Sequence, residues 1–276
     1  MSDDRPDEDL GADRPGDDDL GVDRHDDDRP DDDDRFTDEL RDAVADEWTA
    51  ATTHRFTREL GDGTLDPDVF TRYVVQDYAF VDDLTGAFAA AAADAPSMDA
   101  RRPYVEFLGT LTAEENDFFA RAFDAHDVPE AARTDPDLAG PTAAFRDLIG
   151  RARHEGGYAE TLAVLVPAEW TYLAWASREA AERPDDPLYD EWIELHATPA
   201  FAEFVEFLRA ELDRVGFELS PRRRDRVGEL FARTVELEVA FFDDAFAAAP
   251  ARTEGGTGPE ELDTTLGDPD ATEEPR

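Results

Sequence analysis

The chain of 276 residues contains no cysteine and no lysine. Without cysteine it cannot form disulfides, hold zinc or an iron–sulfur cluster through thiolates, or use a cysteine nucleophile. No apolar run is long enough to span a bilayer. The amino-terminal stretch is rich in aspartate, whereas a secretory signal would be basic and then apolar. We therefore expect a cytoplasmic protein without a membrane span.

Positive charge is also scarce, because arginine is the only strongly basic residue type and acidic residues far outnumber it. The chain has 70 acidic and 27 basic residues and a net charge of −43 at pH 7. Like-charge repulsion argues against nucleic acid and anionic membranes as partners. An acidic, lysine-free surface is typical of a protein that works in very high salt, where screening removes the self-repulsion. We favour this halophilic interpretation over a function that depends on the acidic surface itself.

Several sequence motifs that would indicate a cofactor or a known catalytic centre are missing. The chain contains no Gly-x-Gly-x-x-Gly or P-loop segment for nucleotides and no Gly-x-Ser-x-Gly segment for a serine nucleophile. None of the five histidines follows a glutamate by three residues, as a di-iron helical bundle would need. We therefore predict no cofactor, and the sequence supplies no recognisable metal site.

The apolar pattern divides the chain into a helical domain between two acidic tails. Residues 1–35 carry 17 acidic residues and almost no bulky apolar ones, a composition typical of disorder. From Phe36 onward, apolar residues recur at helical spacing and no segment alternates as a strand would. The domain boundaries are thus predicted at 1–35 for a disordered tail, 36–250 for one all-α domain and 251–276 for a second disordered tail.

Capping residues, prolines and glycines indicate about seven or eight helices within this domain. A first helix contains the run from Phe36 to Trp48. The others are predicted at about 67–94, 97–125, 141–155, 158–182, 186–196, 199–215 and 220–249.

The stretch Val166–Ala176 places a proline, a carboxylate and three large aromatic residues inside an otherwise apolar helix. On a helix, Glu169 lies about one turn from Tyr172, and Ala168 precedes Tyr172 by four residues, so all three can face one cavity. Pro167 removes a backbone hydrogen bond and would bend the helix just before them. We take this stretch as the centre of a candidate site.

Four segments together resemble the TenA/thiaminase II family, part of the haem-oxygenase-like superfamily. They occur in the order and at about the spacing found in that family, and the resemblance covers about residues 40–248. The segments are Val74–Phe80, Leu165–Tyr172, Tyr189–His196 and Glu236–Asp243. The resemblance implies an all-α haem-oxygenase-like bundle, a thiamine-salvage activity on a pyrimidine, and assembly as a dimer or tetramer.

The resemblance also implies roles for individual residues. Asp77 is similar to the family's aspartate that binds the aminopyrimidine ring of the substrate. Glu238 is similar to the family's acid/base glutamate on the last helix. Tyr172 matches a pocket tyrosine that helps to position the reacting group.

The chain departs from the family pattern at the nucleophile. Ala168 occupies the place of the catalytic cysteine, so cysteine-dependent cleavage of thiamine itself is not expected. His196 stands where a tyrosine is common, and Phe80 and Phe145 replace other pocket tyrosines. These departures resemble the cysteine-less branch, often called the E type, in which a glutamate near the missing cysteine is typical. Glu169 fits that description.

The chemistry of the residues supports a hydrolase. A carboxyl group partly buried among aromatic side chains has a raised pKa, which suits a general acid or base near neutrality. We predict that Glu169 and Glu238 divide this work, one activating water and the other protonating a leaving amine. Asp77 would pair with a ring nitrogen and the exocyclic amine. The aromatic candidates would stack on the flat ring, each stack contributing on the order of 1 kcal/mol.

Each candidate also has a purely structural interpretation. Asp77 could pair with an arginine such as Arg72. His196 could end its helix, where a cation is favoured. The aromatic candidates could be core residues, and Glu238 lies on a helix rich in acids.

Two other functions are compatible with the sequence. One is a ligand-binding or regulatory protein that keeps the pocket without catalysis, although no basic helix is present that could contact DNA. The other is an oxidase or metal-dependent relative within the same superfamily, which the low number of histidines disfavours. The hydrolase, acting on an aminomethyl- or formylaminomethyl-pyrimidine, is our first hypothesis.

Overall fold

The structure, a computed structural model, describes residues 35–247 of the chain. Within this range all regular secondary structure is helical, which confirms the all-α class. Both acidic tails predicted to be disordered lie outside the described residues, apart from Arg35. The helices are α1 (Phe36–Asp42), α2 (Ala45–Thr52), α3 (Arg55–Gly61), α4 (Pro67–Asp94), α5 (Met98–Thr110), α6 (Asn116–Ala125), α7 (Glu130–Thr134), α8 (Gly140–Glu155), α9 (Tyr158–Glu179), α10 (Pro187–Ala197), α11 (Pro199–Gly216) and α12 (Pro221–Phe246).

Helix starts follow the predicted boundaries because local capping chemistry determines them. The Asp66 side chain accepts a hydrogen bond from the backbone N–H of Asp68 and caps the start of α4, which has a proline at its first position. Asp186 and Thr198 cap α10 and α11 in the same way, each again followed by proline. A short acceptor side chain before proline satisfies a free N–H and presets the backbone angle. These signals can therefore be read directly from the sequence.

The structure contains more helices than predicted. The single helix expected through Phe36 and Trp48 is divided into α1 and α2, because Val44 leaves the helical region with φ −126° and ψ 34°. Helix α3 and the short α7 were not predicted. The apolar spacing continues across the break at Val44, so periodicity alone could not reveal it.

One turn inside the helix predicted over 97–125 is a π-helix. Residues Leu111–Glu115 form this turn, which we call the π turn, between α5 and α6. A π turn holds one more residue than an α turn and changes the direction of the side chains that follow it. Such turns are frequent at functional sites, and this one lies beside the pocket described below.

Helix α9 lies at the centre of the bundle. Every residue from Ala159 to Tyr172 is buried, and α9 contacts α4, α8, α10, α11 and α12. It continues through Pro167 without interruption. Because α9 is buried on all sides, polar side chains on it face protein rather than water.

No described helix combines the length and apolar character needed to cross a bilayer.

Candidate active site

A pocket lies beside α9, between α4, the π turn and α10. Five of the predicted site residues line it: Asp77, Phe80, Glu169, Tyr172 and His196. Ala168 also lines the pocket, so the position resembling the missing cysteine faces the same space as Glu169. The bundle thus brings together residues that are up to 119 positions apart in the chain.

The two remaining predicted residues lie next to the pocket rather than in its wall. Phe145 on α8 is buried, and its ring centroid lies 4.8 Å from that of Phe80. Glu238 on α12 is 1% exposed and interacts electrostatically with Asp77 and Glu169. Phe145 therefore supports the wall residue Phe80, and Glu238 lies behind the wall within electrostatic reach of both pocket acids.

Asp77 belongs to a buried polar network. The Trp192 Nε1–H donates to the Tyr73 hydroxyl at 3.2 Å, and the hydroxyls of Tyr73 and Tyr172 are 2.8 Å apart. Burial raises the pKa of Asp77 to about 7, although hydrogen bonding with the Tyr73 and Tyr172 hydroxyls opposes the rise. Its Oδ2 atom has no hydrogen-bond partner among residues 35–247.

The structural alternative for Asp77, a pair with Arg72, is wrong. Arg72 donates instead to the carboxylate of Asp244, with Nη2 2.6 Å from Oδ2. No arginine forms an ion pair with Asp77 in the part of the chain that the structure describes. An unpaired buried carboxyl group is costly, so its retention in a pocket is typical of a functional group.

Glu169 is a carboxyl group suited to proton transfer near neutral pH. It is 6% exposed, and burial, followed by the negative charge of Asp77, raises its pKa to about 8. The same two causes, together with the charge of Glu169, raise the pKa of Glu238 well above its ordinary value. Glu238 Oε1 is buried without a hydrogen-bond partner in the described range. At neutral pH these groups can hold a proton and release it during a reaction.

His196 is neutral in this environment. Burial lowers its pKa to about 4, and its Nδ1 lies 2.9 Å from the backbone carbonyl of Trp192. Because a carbonyl only accepts, Nδ1 carries the proton and Nε2 is left as an acceptor. The alternative in which His196 is a cation favoured at a helix end is therefore wrong, and His196 is a neutral member of the pocket wall.

Glu115 and Tyr73 are pocket-region residues that the sequence analysis did not identify. Glu115 lies in the π turn, lines the pocket and is 8% exposed. One signal could have revealed it. Leu111, Glu115, Phe118 and Ala122 are spaced at helical intervals, and all four are buried, so Glu115 is a carboxyl group at an apolar position of the pattern. Tyr73 carries no comparable signal, because a tyrosine at a core position is ordinary.

The aromatic residues near Glu169 divide between the pocket and the far side of α9. Trp170 packs against Trp48, with ring centroids 4.7 Å apart, and Arg209 lies 3.9 Å above its ring. Trp192, in contrast, lines the pocket beside Tyr172.

Among residues 35–247, no group of three or more histidine, aspartate and glutamate side chains is arranged to hold a metal ion.

Residues 41–248 match the model of the TENA/THI-4/PQQC family, which is three quarters of the chain. The chain belongs to this family. The predicted resemblance is therefore confirmed, and with it the haem-oxygenase-like fold.

Two relatives and one solved structure are similar to this chain over most of their own length. The aminopyrimidine aminohydrolase of Halalkalibacterium halodurans is 26% identical over 204 residues, covering 72% of this chain and 90% of that protein. The enzyme of the same name from Bacillus subtilis is 27% identical over 216 residues, covering 77% of this chain and 90% of that protein. The solved structure of a TenA homologue from P. horikoshii superposes with a TM-score of 0.69 at 22% identity, covering 78% of this chain and 99% of that chain.

Proposed function

We propose that this family member is a hydrolase of thiamine salvage that releases the amine from an aminomethyl- or formylaminomethyl-pyrimidine. The aminopyrimidine aminohydrolases among its relatives support the reaction class. The observation that carries the proposal is the pocket itself, in which Asp77 and Glu169 line one wall with Ala168 and no arginine of residues 35–247 is present to neutralise them.

Substrate binding follows from the pocket wall. Ionised Asp77 accepts hydrogen bonds from the exocyclic amine and from a protonated ring nitrogen, a two-point contact that selects an aminopyrimidine. Phe80 and Tyr172 supply aromatic faces for the flat ring, each stack contributing about 1 kcal/mol. Phe145 acts indirectly by holding Phe80 in place. His196 offers Nε2 as an acceptor to a donor on the substrate.

Carboxylates carry the chemistry, since there is no thiol for a covalent route. One ionised glutamate takes a proton from water as the water oxygen bonds to the methylene carbon of the substrate. The carbon–nitrogen bond breaks and its electron pair goes to nitrogen. A second, protonated glutamate keeps the leaving nitrogen protonated, so the products are the hydroxymethyl-pyrimidine and ammonia or formamide. We assign these two roles to Glu169 and Glu238.

Substitution of the two glutamates tests this proposal. We expect Glu169→Gln and Glu238→Gln each to lower kcat by at least about 100-fold while the aminopyrimidine still binds, because an amide cannot transfer the proton. Product release is followed by chromatography for both the aminomethyl and the formylaminomethyl compound. The matched control is Glu236→Gln, which changes a half-exposed glutamate on the same helix.

The outcomes separate the functional hypotheses. Tight pyrimidine binding by the wild-type protein with no turnover of either compound would favour the ligand-binding alternative. Full activity in both variants would contradict the catalytic assignment. The cytoplasmic location, the halophilic character and the homo-oligomeric state stay predictions.

A further inference from the structure

Among the described residues, Glu115 is the one buried acid at the pocket that the proposed mechanism does not use. It lies at the end of the π turn and lines the pocket together with Glu169 and Asp77. Burial, then the charge of Glu169, then that of Asp77 raise its pKa well above the ordinary value. Glu115 makes no hydrogen bond or ion pair with any residue of the described range. Glu115 is therefore a buried carboxyl group without a partner among residues 35–247.

Glu115 also has a distinctive position between the pocket and the protein surface. A groove lined by residues of α5, the π turn, α10 and α11 runs along the outside of the bundle. Among the described residues, only Glu115 and His196 line both this groove and the pocket. His196 is the neutral member of the pair, because burial lowers its pKa to about 4. Glu115 is thus the acidic group at the boundary between the groove and the pocket.

The pocket lacks a positive charge to match its acids. Asp77, Glu115 and Glu169 line it, and no arginine does so among the described residues. Asp77 Oδ2 is fully buried and has no hydrogen-bond partner in that range. Buried carboxylates without a cation are strongly disfavoured, and a cation from outside the protein removes that cost. The arrangement points to a ligand that brings its own positive charge.

We propose that Glu115 binds the protonated amino group of the substrate and makes the pocket selective for the charged aminomethyl side chain. This inference rests on the proposed function for the identity of the pyrimidine. An aliphatic primary amine such as that of lysine has a pKa of about 10, so a cationic side chain is the common form of such an amine near neutral pH. With the ring held at Asp77, the ammonium group lies between Glu115 and Glu169, and Glu115 is its counter-ion. Glu169 then remains free to exchange a proton with water.

The test compares two pyrimidines that differ only in the amino group, which is cationic near neutral pH in its common form. One is the aminomethyl-pyrimidine and the other is the corresponding methyl-pyrimidine, which cannot be hydrolysed. Binding is measured by rapid-mixing tryptophan fluorescence, because Trp192 lines the pocket and the signal precedes turnover. We expect wild-type protein to bind the aminomethyl compound at least about tenfold more tightly.

The decisive variant is Glu115→Gln, which keeps the shape of the side chain and removes its charge. We expect the preference for the aminomethyl compound to disappear while affinity for the methyl compound changes less than about twofold. The matched control is Glu114→Gln, whose side chain is exposed beside Glu115 in the π turn, and it should keep the preference. Glu115→Asp retains the negative charge and should keep part of the preference for the aminomethyl compound. This second variant keeps the test valid if Glu115→Gln does not fold.

Binding and turnover are measured separately, so the role of Glu115 and the hydrolase proposal can each be contradicted without the other. If Glu115→Gln keeps the wild-type preference, or loses affinity equally for both compounds, the role of Glu115 is overturned even when turnover is normal. If wild-type protein shows the charge preference and Glu115→Gln abolishes it without any turnover being observed, the role of Glu115 stands and the hydrolase proposal fails.

Discussion

At the scale of single residues, the site depends on carboxyl groups that are buried together, with no arginine of the described residues in the pocket wall. Burial raises the pKa of Asp77 to about 7 and that of Glu169 to about 8, and Glu115 and Glu238 are shifted in the same direction. Each group holds its proton in the folded protein at a pH where the unfolded chain has lost it. Proton transfer near neutrality and a dependence of stability on pH therefore have the same origin.

A test at this scale is the pH dependence of stability in Glu169→Gln. Because the folded-state pKa of Glu169 is raised, its contribution to stability is present below about pH 4.5 and is lost as pH rises through about 8. We expect the variant to match wild type near pH 5 and to exceed it by about 1 kcal/mol or more near pH 9, since glutamine never ionises. Urea unfolding at each pH measures the difference.

The control for this experiment is Glu114→Gln, which removes an exposed carboxyl group. Its stability relative to wild type should vary little between the two pH values. A difference between wild type and Glu169→Gln that does not change with pH would contradict the raised pKa of Glu169.

At the scale of elements, α9 and the π turn determine the shape of the site. Helix α9 contributes Ala168, Glu169 and Tyr172 to the wall, and its central position keeps all three side chains buried. The π turn supplies Glu115 to the wall. Since the turn holds an additional residue, the helix before it and the helix after it each keep their own packing while one carboxyl group turns inward.

The amino-terminal helices cover the far side of the bundle and allow stability to be tested apart from the site. Helix α1 packs on α11. There the ring of Phe36 lies against Gly216, so that a methyl group at residue 216 would overlap it. The backbone N–H of Thr37 also donates to Asp213 Oδ1 at 2.7 Å. This contact joins the first described helix to the core.

We expect Gly216→Ala to lower the free energy of unfolding by about 1–3 kcal/mol, because the ring of Phe36 must move to accommodate the new methyl group. Thermal unfolding followed by circular dichroism gives the change. KM for the pyrimidine should stay at the wild-type value, since α1 does not line the pocket. The matched control is Gly150→Ala in α8, where a methyl group meets open space. That variant should be equal to wild type or up to about 1 kcal/mol more stable. Equal destabilisation by both substitutions would contradict the packing explanation.

At the scale of the whole molecule, the dominant feature is the large net negative charge. A net charge of −43 over 276 residues produces self-repulsion that opposes the compact state. Ion pairs between arginine and carboxylate occur on the described surface, for example Arg146 with Asp83 at 2.7 Å. Exposed pairs of this kind contribute at most about 1 kcal/mol each, and acids outnumber arginines too far for all of them to be paired. Screening by salt should therefore have a large effect.

We expect the melting temperature to rise by about 5 °C or more between 0.1 M and 1 M KCl, over which the screening length falls from about 10 Å to 3 Å. For a domain of this size such a rise corresponds to roughly 2 kcal/mol. Differential scanning calorimetry measures it, and NaCl at the same ionic strengths is the control, because screening depends on ionic strength rather than on the cation. A flat or falling melting temperature in both salts would contradict the halophilic interpretation.

The sequence by itself determined the properties that depend on neighbours along the chain. Helical spacing and capping by Asp66, Asp186 and Thr198 act within a few residues, so the all-α class and most helix boundaries could be predicted. The family could be recognised from four local segments. The break at Val44 and the π turn could not be predicted, because an apolar period of 3.6 residues continues through both.

Only the tertiary structure decided which side chains meet. It brought Asp77, Glu169 and His196 to one pocket, placed Glu238 behind its wall, and added Glu115 from a turn that the apolar spacing conceals. The pKa of each acid follows from this packing, because burial and neighbouring charges from other helices cause the shifts. The local sequence pattern specifies a helix and its apolar face. The distance between side chains on two different helices depends on how the whole bundle packs.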